Sequence, residues 1–219
     1  MPTLSTATKL YRDFKEIDGS EYHTIIRFYE AQTTTIARLP FDLYFDILVD
    51  YTNALFEVGA YTKQISIVQQ VIQLSIEHNI QFYRGEDIYF KSLYQKAAAH
   101  FNLLEYDAAI HILKELIKIA PYHGLSILFL KKCKYRSQPA YIKIARAISI
   151  VLFLGAAIIT AIEVMVIHPF SPIYTDIFEQ FRFATLGLGL FVLIGTFLYH
   201  RYHINHQVNV FVRKIRQGK

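Results

Sequence analysis

Apolar residues recur along much of this chain at steps of three and four, and near the C-terminus that rhythm gives way to two runs with no polar face. Residues 147–167 contain Glu163 as their only charge, and residues 183–199 contain none. At about 1.5 Å per residue these runs would reach roughly 31 and 25 Å as helices, close to the ~30 Å hydrocarbon thickness of a bilayer. A helix that is apolar all round is either buried in a bundle or set in lipid, and runs this long without a polar face point to lipid. The pattern predicts a transmembrane helical hairpin over residues 147–199.

Upstream the pattern is amphipathic. Residues 8–17 place Leu10, Phe14 and Ile17 on one face of a short helix ended by Asp18, Gly19 and Ser20, and residues 21–37 form a second helix with Ile25, Phe28 and Tyr29 together. From residue 41 the apolar positions are Tyr44, Phe45, Leu48, Tyr51, Leu55 and Val58, followed by a turn at Gly59 and Ala60 and a resumption at Ile65, Val68, Ile72 and Ile76. That is a helical hairpin. A loop at residues 79–85 separates it from a second hairpin, residues 86–103 and 106–119, which Pro121 stops. A further helix over residues 122–134 and a brief linker of Ser137, Gln138 and Pro139 lead to the apolar runs. The fold class is all-α.

The organisation expected is a helical cytosolic domain at residues 1–134, a basic juxtamembrane linker at 135–146, the hairpin at 147–199 and a basic cytosolic tail at 200–219. Charge supports the division. The net charge of +5 and pI near 9.1 hide a split: residues 1–130 hold 11 Lys and Arg against 15 Asp and Glu, and residues 131–219 hold 12 against 3. The basic excess flanks the membrane runs, where anionic headgroups would meet it, so nucleic acid is not an expected partner and the lipid bilayer is. Lys131, Lys132, Lys134, Arg136, Lys143 and Arg146 precede the first run, and Arg201, Arg213, Lys214, Arg216 and Lys219 follow the second. The connecting segment holds only Arg182. The bias of Lys and Arg towards the cytoplasm then places both termini inside and the loop outside, as expected of a multi-pass plasma- or inner-membrane protein.

Cys133 is the only cysteine, which rules out an intramolecular disulfide and suits a reducing compartment. In a eukaryotic host its juxtamembrane place would permit S-palmitoylation, beside the plainer reading of a free thiol. The first 30 residues lack a basic region followed by an apolar one, so no cleaved secretory signal is expected.

The second hairpin carries a pattern of its own: Ala97 where paired helices approach, Tyr106 after the turn, Ala109 opening the next helix, Pro121 at its end, and Leu113 and Leu116 between. It resembles a tetratricopeptide repeat (TPR), and EYDAAI is close to that family's usual turn. In the first hairpin Gly59 and Tyr61 fit the turn, but Gln64 stands where the family has alanine. Tyr61 and Tyr106 lie 45 residues apart, longer than the usual repeat. The resemblance spans roughly residues 41–134 and implies TPR-like hairpins whose first helices line a groove for a protein or peptide. In that register Asp46, Asn53, Lys91, Tyr94 and Asn102 point into the groove.

Other residues invite chemistry. Asp42, Asp46 and Asp50 form an i, i+4, i+8 stripe that could hold a basic peptide, or could be a solvated face paired with Lys91 or Lys96. His200, His203 and His206 could hold a metal or form a pH-sensitive patch, but no cysteine or carboxylate accompanies them, and an aromatic belt with Tyr199 and Tyr202 is the plainer reading. Glu163 lies near the outer end of the spans, where it would reach water or pair with Arg182. Ala157 with Ala161, and Thr185 with Gly189, are small-residue pairs suited to close helix packing or association with a second copy. The tail places Val208, Phe211, Val212 and Ile215 opposite Arg213, Lys214 and Arg216, as a basic helix lying on the inner leaflet would.

No nucleophile constellation, phosphate loop, metal spacing or dinucleotide motif is present, so neither catalytic residues nor a cofactor are expected, and an enzyme is not. The sequence points to a membrane-anchored adaptor or scaffold presenting a TPR-like domain at the cytoplasmic face. The alternative is an effector whose hairpin oligomerises and permeabilises the bilayer when the domain senses a ligand or partner.

Overall fold

The amphipathic stretches fold as helices: α1 Leu4–Lys15, α2 Tyr22–Ala31, α3 Thr33–Ile36, α4 Phe41–Glu57, α5 Tyr61–Glu77, α6 Ile88–Asn102, α7 Tyr106–Ile119 and α8 Gly124–Arg136. The apolar runs fold as α9, Ala140–Ile162, which passes into a π-helical turn at Glu163–Ile167, and α10, Thr175–Gln217. The computed structural model describes residues 4–167 and 175–218. The chain divides into two units at the junction of Cys133 and Lys134. The all-α class is as the periodicity predicts.

In the first unit α4 is the central helix. It packs against α2 on one side and α5 on the other, and is buried at five consecutive positions from Phe45 to Val49. A helix enclosed to this degree needs apolar residues off its main stripe, and Ile47 and Val49 supply them. Each such side chain removed from water contributes about 1.5–3 kcal/mol before chain entropy is set against it. Tyr29 of α2 stacks on Tyr51 of α4 with ring centroids 3.8 Å apart.

The hairpins α4/α5 and α6/α7 repeat each other at an offset of 45 residues, position for position. Phe56 meets Tyr61 edge-on at 5.5–5.6 Å, and so does Phe101 with Tyr106. Gln64, Val68, Val71 and Ile72 are buried in α5, and their counterparts Ala109, Leu113, Leu116 and Ile117 are buried in α7. The turns match too: Gly59 and Leu104 both adopt positive φ, at 79° and 63°, and the next residues, Ala60 and Glu105, donate backbone hydrogen bonds to Leu55 and His100. This is the left-handed helix end that favours glycine. Consecutive helices pack in order, α5 on α6 and α6 on α7, an arrangement compatible with a helical-repeat fold. The first helices of the two hairpins are linked by the bond from Gln95 to Asn53 at 2.8 Å, and α6 meets α8 through Phe101 and Phe129 at 5.4 Å.

Two expectations change. Residues 21–37 are not one helix: it breaks at Gln32, where the Thr33 hydroxyl donates back to the carbonyls of Tyr29 and Glu30. Three successive β-branched threonines resist continuation. The loop expected at 79–85 contains one arm of a β-hairpin, β1 Phe82–Tyr83 pairing antiparallel with β2 Glu86–Asp87. Arg84 and Gly85 form its tip with φ of 51° and 81°, the tight turn whose twist matches paired strands. Asp87 then caps α6, accepting from the Phe90 N–H at 2.8 Å.

In the second unit α9 and α10 pack on one another, and both are long and apolar enough to cross a membrane. Their large side chains, including Val151, Leu154, Ile158, Phe191 and Leu198, are exposed rather than enclosed. Close approach is made by Ala156 and Gly189, not by the pair Ala157 and Ala161, which face outward. A Cβ on Gly189 would lie 2.9 Å from the Phe153 ring. Glu163 is buried and accepts from Arg182 at 2.8 Å, the pairing the sequence predicts. α10 runs on without interruption through the stretch expected as a separate tail helix, and Val208 and Val212, assigned to the leaflet, are buried in the protein. Part of the expected connecting loop, residues 168–174, lies outside the described residues.

Candidate functional site

The stripe on α4 organises the most polar site in the first unit. Asp42 is exposed in the first turn of α4, where the helix dipole favours an acid. Asp46 falls in the enclosed middle of the helix at 7% exposure, and Asp50 is half-buried. Such burial requires partners, and four converge. Lys15, at the C-terminus of α1, reaches Asp46 at 2.5 Å and Asp50 at 2.8 Å. Arg84, at the hairpin tip, reaches Asp50 at 2.6 Å and also contacts Asp46. Tyr11 donates its hydroxyl to the Asp46 Oδ2 at 2.9 Å, and Tyr83 donates to Oδ1.

These contacts set the charge states. Burial alone raises the Asp46 carboxyl, but the bonds from Lys15, Tyr83 and Tyr11 outweigh it and hold its pKa at about 2. Burial opposes the charge on Lys15, yet its bonds to Asp46 and Asp50 raise its pKa. The bond to Asp50 raises Arg84 further, against burial. Tyr83 and Tyr11 are both raised, by burial first and by the bond to Asp46 second. The cluster is a closed network of two carboxylates and two cations. A carboxylate held at about 2 is a weak general base at neutral pH.

A cavity of about 580 Å³ opens beside this network, between α1, α2 and α4, with Tyr22, Asn53 and Ile25 among its other walls. The remaining sequence-predicted groove residues are distributed along α4 and α6. Asn53 accepts from Gln95, Lys91 pairs with Glu86, and Tyr94 packs on His123 and Phe129. Asn102 is exposed. The aspartate stripe is therefore matched by Lys15 and Arg84, whereas Lys91 goes to Glu86 and Lys96 to Gln69 at 2.6 Å. Asp46 is a buried anchor, not a solvent-facing side chain.

Sequence reasoning missed Lys15, Arg84, Tyr11 and Tyr83. The Arg-Gly pair at 84–85 is a turn signal that could have located the hairpin tip. Nothing local marks Lys15, which lies 35 residues from Asp50.

In the second unit the three histidines do not converge. The His200 Nδ1 lies 2.7 Å from the Tyr141 hydroxyl, His203 stacks on Tyr199 and bonds to Gln207, and His206 stacks on Tyr202. That is the aromatic-belt arrangement, and no metal-binding group of three His, Cys, Asp or Glu occurs among the described residues. Cys133 is wholly buried and burial pushes its thiol up to about 12, so S-palmitoylation has no accessible thiolate to act on. Comparison with protein-family models, with curated proteins and with solved structures finds no match to this chain.

Proposed function

We propose that this protein is a membrane-anchored adaptor, in which a TPR-like domain held at the cytoplasmic face by a two-helix hairpin binds a protein or peptide along the first helices of its repeats. The observation that carries this reading is the 45-residue recurrence of burial, ring contacts and left-handed turn between α4/α5 and α6/α7. Stacked hairpins of this kind form quasi-continuous surfaces suited to extended partners. The exposed apolar surfaces of α9 and α10 support anchoring, because a chain in water would not leave so much contiguous apolar surface bare. The Lys and Arg asymmetry supports cytoplasmic termini.

In this proposal Lys91 and Asn102 meet the partner from α6, and Asn53 and Tyr94 flank them. Asp46 belongs to the charged floor beneath, where Lys15 and Arg84 fix it. The test is capture by the full-length protein in mild detergent, comparing wild type with Lys91→Glu and Asn102→Arg, and with Lys118→Glu on α7 as control. A partner retained by wild type and the control but lost with the α6 variants supports the proposal. Equal capture by all four proteins overturns the groove assignment.

A further inference from the structure

A second cavity, of about 350 Å³, lies within the membrane unit between the N-terminal half of α9 and the middle of α10. Its walls are unequal. Ile142, Ile150, Leu193 and Phe197 make one part apolar, while Gln138, Arg146 and His200 supply polar groups, with Tyr135 and Thr196 also in the lining. Ile150 lies one turn further along α9 from Arg146, and Leu193 lies two turns from His200 on the antiparallel α10, so the far end of the cavity is the apolar one. The Arg146 Nη1 bends back two turns to donate to the Gln138 Oε1 at 3.3 Å. That is the posture of a long basic side chain carrying its charge from the hydrocarbon to the interface.

His200 gives an independent pointer. It is 4% exposed, its Nδ1 is taken by the Tyr141 hydroxyl, and its buried Nε2 has no hydrogen-bond partner among the described residues. The phenol, the stronger acid of the two, donates to Nδ1, which leaves the ring proton on Nε2 as a donor needing an acceptor. A buried donor without an acceptor is destabilising, and a ligand oxygen in the cavity would satisfy it. Charge points the same way. Arg136, Lys143, Arg146 and Arg201 lie on the segments around the cavity, residues 131–162 and 183–219 contain no Asp or Glu, and Arg146 has no carboxylate partner among the described residues. The missing acceptor is thus an anion, and the apolar end asks for a hydrocarbon chain attached to it.

We propose that this cavity holds one anionic phospholipid from the cytoplasmic leaflet, its phosphate accepting from Arg146 and from the Nε2 of His200 and an acyl chain lying along Phe197, Leu193 and Ile150. The inference rests on the membrane-spanning reading of α9 and α10. A soluble phosphate would use the polar end and leave the apolar walls bare, which is why the bilayer is the source.

The test uses the full chain in nanodiscs of equimolar phosphatidylcholine and phosphatidylglycerol, with retained lipid counted by native mass spectrometry after mild release. Wild type is expected to keep one phosphatidylglycerol, undisplaced by excess inorganic phosphate. Arg146→Gln, at an exposed position that leaves the fold intact, should lower that retention about tenfold, as loss of one charge-assisted bond implies. His200→Phe should lower it further, while Arg213→Gln should not change it. Equal retention of the two lipids, displacement by inorganic phosphate, or an equal loss with Arg213→Gln would overturn the site. Flotation with liposomes separates the two levels: protein that floats without lipid preference sinks the site alone, and protein that does not float sinks the membrane reading with it.

Discussion

Replacing Asp46 with asparagine tests whether the cluster on α4 fixes the N-terminal helix and the hairpin tip. The substitution keeps the shape and removes the charge that Lys15, Arg84, Tyr11 and Tyr83 share. Lowering the carboxyl from its ordinary 3.8 to about 2 corresponds to roughly 2 kcal/mol of stabilisation at neutral pH. Lys15 and Arg84 are partly exposed, and screening reduces that to about 1–2 kcal/mol. The sign follows from the direction of the shift. A depressed carboxyl contributes fully above its unfolded value and loses the contribution as pH falls from about 4 through about 2. Thermal unfolding of the full chain in detergent, followed by circular dichroism, should show Asp46→Asn melting about 4–10 °C below wild type at pH 7, with the gap narrowing as pH is lowered through that window. Equal melting at pH 7, or a gap that does not narrow in acid, would refute the assignment.

Other outcomes follow from single contacts. Leu104→Gly should stabilise the protein by about 1 kcal/mol, because Leu104 holds a left-handed φ of 63° while 70% exposed and so has little packing to lose; a lower melting temperature would contradict this. Arg182→Ala, by leaving Glu163 buried without its cation, should destabilise the paired spans by about 3–5 kcal/mol, and Glu163→Leu in the same chain should restore most of it. Gly189→Ile should drive apart α9 and α10 at Phe153, seen as a loss of cross-linking between cysteines placed on the two helices, whereas Gly195→Ile, where a Cβ meets nothing within 4 Å, should not. Residues 1–134 made alone should be soluble, monomeric and helical by circular dichroism, because their helices bury apolar faces on one another; an aggregated fragment would count against independent folding.

What the sequence showed, and what it hid, divides by the range of the interactions. Helix existence, the turns at Gly59 and before Tyr106, and the Glu163–Arg182 pair depend on neighbours in sequence or on the length of an apolar run, and all were legible. The partners of Asp46 and Asp50 were not, because Lys15 and Arg84 meet them only after α1 and the β-hairpin fold onto α4, and periodicity carries no record of that meeting. Helical register was also at its limit. Adjacent residues point about 100° apart, so choosing Ala157 over Ala156 moved the expected contact to the wrong face. Gln64 departs from the repeat's alanine and is fully buried at the position equivalent to Ala109, with neither atom of its side-chain amide hydrogen-bonded among the described residues.

The central claim, a helical domain carried on a two-helix membrane hairpin with both termini inside, is tested most directly by thiol labelling of intact cells. Native Cys133 is buried and its thiol is held at about 12, so it stays silent and needs no replacement. Single cysteines at Ser171→Cys, in the connecting segment, and Gly218→Cys, at the tail, are exposed to an impermeant maleimide before and after permeabilisation. Labelling at position 171 on intact cells, with position 218 reacting only after permeabilisation, is the predicted result. Labelling of position 218 on intact cells, or equal protection of both positions, would contradict it.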